Sequence, residues 1–433
     1  MKCSSPILIA LCAIIISLTV VNDSWGVDNQ DIYDWFLGNP GEWEYTPPVN
    51  DGDFEEDIVF PPQYDNGWGY QVGDRHLPDG TYTLNLTAGR TFTFTGFLTI
   101  QETEYDEEET VGVGRIQVNG TADEMVTMEA AVAAWGGIVI ETDPGNWIAD
   151  FTNGNYVGYC DISELNNPAV TINDNSQAYV KGCHIDANGG DAIVANADEA
   201  VYRFHSNKIE NCNFGIRCEN PVDLEGDDLW DIIANNYIDN DGEPAISVTE
   251  DWNGWIVNNL IIDSDADGIP AAINCERCES AVIRNNTLYN GTTNTGIRVV
   301  GNDDEDDYCP DILNNIIVLF DIGVQGVLGA NGPVDFCHFD DIPAGDEYDG
   351  GATEGEGCVE DSDPDFVSTI ALSYDFHLMW TSPAVNMGDD EILDPDESFS
   401  DVGAFGGPRA NQFEVYSGNY NDYCLIEDEK SSR

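Results

Sequence analysis

Short apolar triplets set off by Gly, Asn and Asp recur along the middle of the chain, and they align on a repeated Asn-Asn pair: "IIANNYI", "WIVNNLI", "VIRNNTL" and "DILNNII". Taking the second Asn as reference gives a column of Cys160, Cys183, Asn207, Asn236, Asn259, Asn286, Asn315 and Cys337. Its successive spacings are 23, 24, 29, 23, 27, 29 and 22 residues. Three positions before each member stands an apolar residue (Val157, Val180, Phe204, Ile233, Ile256, Ile283, Ile312, Val334). Two positions after stands another (Ile162, Ile185, Ile209, Ile238, Ile261, Leu288, Ile317, Phe339). The regularity identifies a repeat.

A period in the twenties built from such triplets leaves no room for a helix in each unit; it predicts strands and tight turns. The arrangement that buries one side of every strand is a parallel β-helix, in which like residues of successive coils stack at ~4.8 Å. Stacked asparagines suit it, because each amide donates to the carbonyl of the next and Asn tolerates the left-handed backbone of a sharp corner. A further strand follows in each coil. Val170, Ile193, Ile216, Ile246, Ile273 and Ile297 point inward on it, and Ile172, Ala195, Cys218, Val248, Cys275 and Val299 do so two residues later. Between them Thr171, Val194, Arg217, Ser247, Asn274 and Arg298 point outward and are expected to be exposed.

On these columns the chain resembles the right-handed parallel β-helices of the pectin-lyase-like superfamily, in particular secreted bacterial right-handed β-helix repeat proteins. Upstream, "DGTYTLNLTAGRTFTFTGFLTI", "GRIQVNGTADEMVTMEA" and "WGGIVIE" are similar to their first coils. Downstream, "DSDPDFVS", "YDFHLMWTSPAVNMGDD" and "DVGAFGGP" resemble their closing segment. The expected fold class is therefore all-β, a single-stranded right-handed parallel β-helix over residues 79–340. An N-terminal cap or extension at 27–78 precedes it, and a closing segment and tail at 341–433 follow.

Residues 1–26 read as a signal peptide, an apolar run ending in Ser24-Trp25-Gly26, so a secreted or loosely surface-associated product is expected. No later segment approaches the ~20 apolar residues of a membrane span. Ten cysteines follow the leader, an even number that suits disulfides in an oxidising compartment. Cys160 and Cys183, neighbours in the column, are near enough for a bridge, whereas Cys218 and Cys275 have Val248 between them; Cys275 and Cys278 form a lone CxxC of structural character. The net charge of −68, from 82 acidic and 14 basic residues, argues against nucleic acid and anionic membranes as partners. It suits either a salty medium or the collection of divalent cations.

For chemistry, the resemblance implies polysaccharide enzymes whose catalytic bases lie on the outer face that carries Arg217 and Arg298. Here those two are three coils apart, about 14 Å at the strand spacing, too far for one proton-transfer site. Lys181 and Lys208 are the other candidate bases. A denser group lies on the early coils, where Tyr156, Tyr179 and Arg203 point outward with Lys181 and His205 beside them, and Asp161, His184, Lys208 and Tyr237 form a second outward row. Stacked tyrosines offer platforms for sugar rings, and the cations could orient an acidic group. Calcium is considered at Asp263, Asp265 and Asp267 of "DSDADG", which has Asn274 where an EF-hand needs its glutamate, and at Asp303 and Asp304 of "NDDEDDY". No cofactor is required by any of these patterns. The residues favour binding of extracellular glycan or cell-surface material without catalysis; the rivals are a polysaccharide lyase or glycoside hydrolase, and a structural surface or matrix protein.

Overall fold

The computed structural model describes residues 51–410, apart from stretches that include 60–69, 102–111, 143–153, 220–231, 264–270 and 302–309. The leader at 1–26 and the tail from 411 lie outside the described residues, as do Asp265, Asp267, Asp303 and Asp304. Asp263 ends a strand, and its side chain is likewise outside the description.

Three parallel sheets of 12, 11 and 11 strands wind around one core, each coil contributing one strand to each sheet in turn. The architecture is a parallel β-helix, with no helix among the described residues. The sequence columns become stacks residue for residue. Val157 faces Val180, which faces Phe204, and the stack continues through Ile233, Ile256, Ile283 and Ile312 to Val334. In the second sheet Ile162 through Phe339 stack likewise, and in the third Val170 through Ile297 continue to Val324. All of these side chains are essentially without solvent contact.

The coils extend beyond the expected limits at both ends. Strands Asp51–Phe54, Ile58–Val59 and Tyr70–Val72 pair with the next coil, so a first turn lies within the stretch read as a non-repeating cap. At the other end Tyr348–Gly350 and Ala352–Glu354 still pair in parallel. Both turns lack the Asn-Asn marker, which is why the repeat pattern missed them.

The Asn-Asn pair divides its work. The first Asn of each pair (Asn235, Asn258, Asn285, Asn314) is the corner between first and second sheets, with φ of 56°, 55°, 53° and 56°. Other coils place Tyr159, Gly182, Ser206, Phe336 or Gly357 there, also at positive φ. The second Asn points inward and forms the ladder. Nδ2 of Asn207, Asn236, Asn259 and Asn286 donates to Oδ1 of the next member at 2.9–3.0 Å, and that same oxygen accepts the donor residue's own backbone N–H. Their remaining amide hydrogens go to the carbonyls of Val180, Phe204, Ile233 and Ile256 on the coils before. Each buried amide is thus saturated, as burial of a polar group demands. Cys358 extends the column past Cys337, whose backbone N–H points to its sulfur at 3.4 Å, so two cysteines stand at each end of five asparagines.

Outward direction did not guarantee exposure. Val194, Ser247 and Asn274 are buried, the last under Arg298, whose Nη1 donates to its Oδ1 at 2.9 Å. Tyr237 is covered as well. The closing segment lays Phe366, Phe376, Ala384, Val402 and Ala404 against the outer face of the second sheet at Tyr237, Leu260, Ile262, Ile316 and Val318. The outer asparagines hold it in place. Asn314 Oδ1 accepts from the Asp389 amide, Asn285 Nδ2 donates to Asp401 O, Asn258 Nδ2 to Ala404 O and Gly406 O, and Asn235 Nδ2 to Arg409 O. The segment therefore runs back along the corner, one coil per asparagine.

Candidate binding face

On the outer side of the first sheet, Tyr156 pairs with Tyr179 and Tyr179 with Arg203 on consecutive coils. The two tyrosine rings meet edge to face, centroids 5.6 Å apart at 61°. Glycine makes room for this. A Cβ on Gly158 would fall 2.1 Å from the Tyr156 ring, so that ring lies across its own strand; Tyr159 lies across Gly182 in the same manner, with 2.7 Å to an added Cβ. Lys181 Nζ stands 5.5 Å over the Tyr159 ring, a cation–π contact. His205, one coil on, shares a 2.8 Å hydrogen bond with Ser206. Burial raises the Tyr179 phenol, against the opposing influence of Arg203 and Arg409, and burial lowers the Lys181 ammonium.

Two arginines that sequence reasoning missed border the same face. Arg409 arrives with the closing segment, anchored beside Asn235. Arg284 stacks over Trp255 at 4.8 Å, and burial followed by the charge of Arg409 lowers its guanidinium. Nothing in the local sequence pairs Arg409 with Tyr179, since their proximity depends on the fold-back of the closing segment.

The second outward row forms a closed charge network. His184 Nδ1 lies 3.0 Å from Asp161 Oδ1 and Nε2 lies 2.8 Å from Glu210 Oε2, while Lys208 Nζ reaches Glu210 Oε1 at 2.8 Å. Burial alone would depress His184, but hydrogen bonds to Asp161 and Glu210 outweigh it and carry the imidazole up to about 9. Glu210, raised by burial, is brought down to about 2 by its bonds to His184 and Lys208. An imidazolium clamped by two carboxylates is no general base at neutral pH.

Arg217 and Arg298 sit three register steps apart, with Ser247 and Asn274 between them, as the spacing predicts. Arg217 is held by Asp191 at 3.1 Å and Glu219 at 3.6 Å. Among the described residues no group of three or more His, Cys, Asp or Glu side chains is placed to hold a metal ion. No disulfide joins the eight described cysteines after the leader; Cys160 and Cys183 approach to 3.3 Å between sulfurs, stacked as the ladder requires.

No family model matches the chain, and no curated protein matches it.

Proposed function

We propose that this chain is a secreted right-handed β-helix of the pectin-lyase-like kind that binds extracellular glycan or cell-surface material on the outer face of its first sheet, without catalysis. The observation that carries this reading is the edge-to-face pair Tyr156–Tyr179, with Tyr156 laid across Gly158. A ring held against a sheet presents a rigid apolar plane to the C–H face of a sugar at little entropic cost. The bordering Lys181, Arg203, Arg284 and Arg409 supply positive charge in a chain that has only 14 basic residues, and they would orient acidic groups on the glycan. The candidate bases fit catalysis poorly, because Arg217 and Lys208 are each tied to carboxylates.

The test is a panel of insoluble neutral and uronic polysaccharides, with and without calcium, scored both for retention of the protein and for new reducing or unsaturated ends. Retention without release is expected, weakening roughly tenfold in Tyr156→Ala or Tyr179→Ala. Released ends that vanish in Lys181→Ala would replace binding by lyase or hydrolase chemistry. Absence of both retention and release would leave the structural role.

A further inference from the structure

Among the described residues the second sheet keeps a strict one-to-one register through its coils except at one place. Where strand Lys208–Cys212 meets Tyr237–Asn240, Ile209 faces Ile238 but Cys212 faces Asn240, so one extra residue is taken up. Such a bulge re-aims side chains, and bulges concentrate beside functional sites. Here it carries Asn211, exposed and at φ 50°, out of the corner that leads to the third sheet. On the coil before, Asn188 and Gly189 also take left-handed backbone, φ 51° and 82°.

Between these corners opens a recess of about 500 Å³ lined by Asp186, Asn188, Gly189, Asn211, Asn213 and Gly242, with Cys212 behind. Its polar atoms are fixed. Asp186 Oδ1 accepts from the Asn188 amide and from Asn211 Nδ2, both at 3.1 Å, and Asn213 Nδ2 donates to Asp191 at 3.1 Å. Asp191 is in turn paired with Arg217. With both amide nitrogens turned to carboxylates, the amide oxygens of Asn211 and Asn213 stay available as acceptors. Gly242 keeps the space beside Asn213 clear, since a Cβ there would come 2.8 Å from its Oδ1.

The lining decides the ligand class. It has no large apolar side chain to reward an apolar ligand, and its carboxylates repel anions. An array of acceptors set by rigid backbone matches a molecule rich in hydroxyl donors, and the volume lies within the ~300–1,000 Å³ of small-ligand sites. We propose that this corner recess binds a neutral saccharide unit, at a site separate from the tyrosine face.

The full chain would be titrated with the methyl α-glycosides of glucose, galactose and mannose, read by saturation transfer to the sugar ring protons. Asn211→Gly deletes the amide at a backbone angle that glycine adopts freely, and Asp186→Ala removes the partner that orients it. Expected are saturation transfer to at least one glycoside that persists in Tyr179→Ala, where any contribution of the tyrosine face is removed, and a loss of roughly tenfold when either recess variant is added to that background, at unchanged melting temperature. The site is overturned by absence of transfer to all three glycosides, by transfer indifferent to both recess variants, or by transfer lost in Tyr179→Ala. It is also overturned if the recess variants abolish binding of calcium while no glycoside binds. Because the probes are single sugar units, failure of polymer retention on the tyrosine face leaves this result unaffected, and the converse holds too.

Discussion

Replacing Asn259 by alanine takes one donor from the carbonyl of Ile233, leaves the backbone N–H of Asn236 without its acceptor and leaves Asn236 Nδ2 with Phe204 O alone, all inside the core. Orphaned buried groups cost ~1–3 kcal/mol each, so a loss on the order of 3 kcal/mol or more is expected, read as a lowered melting temperature. The adjoining Asn258→Gly keeps the positive φ and removes only the bonds to Ala404 and Gly406. Its expected effect is local: faster hydrogen exchange in the closing segment, with global melting nearly unchanged. Equal global losses from the two variants would refute the division of labour within the pair. His184 makes the other residue-scale prediction. Its folded value of about 9 lies above the ordinary 6.5, so the stability it lends is complete below about 6.5 and disappears as pH rises through about 9. Glu210, depressed from 4.5 to about 2, acts in the opposite sense, lending stability above about 4.5 that is lost as pH falls toward about 2. An imidazole proton titration with its midpoint near 6.5 would contradict the clamp.

At the scale of elements, the strand columns could be read from sequence because each coil repeats the same burial problem, and identical answers recur at one aligned position. The closing segment could be matched only by resemblance. Its contacts span 75 to 174 residues and occur once each, so no period reports them. For the same reason Tyr237 looked exposed, and Arg409 had no visible connection to Tyr179. The two residues of each Asn-Asn pair are chemically alike, which hid that one faces the core and the other faces the segment. Within that segment Asp394 accepts the amides of Asp401 and Gly407, yet burial, then the charge of Asp401, raises it from 3.8 to about 6. A group raised on folding lends its stability below its unfolded value, and that stability is lost as pH climbs through the folded one. Asp394→Asn, which keeps an acceptor and never ionises, should therefore protect the amides around Asp401 better than the parent at about pH 7 and no better at about pH 4. Hydrogen exchange of those amides at the two pH values measures this.

For the whole molecule, the inner ladder sets no limit of its own on length. Every amide passes the same bonds to the next coil, so an additional turn placed among the asparagines would find its partners already presented. The closing segment imposes the limit. Asp389, Asp401, Ala404 with Gly406, and Arg409 meet Asn314, Asn285, Asn258 and Asn235 in strict succession. A second copy of residues 259–285 inserted after Asn285 would satisfy the core, but it would open a gap of ~4.8 Å that the segment cannot span at both ends. The expected product is a folded helix whose segment is released on one side of the insertion, seen as hydrogen exchange quickened either at 386–401 or at 404–409. The outer asparagines and the segment they hold thus serve as a tally stick, and this stretch of the protein carries as many turns as there are notches.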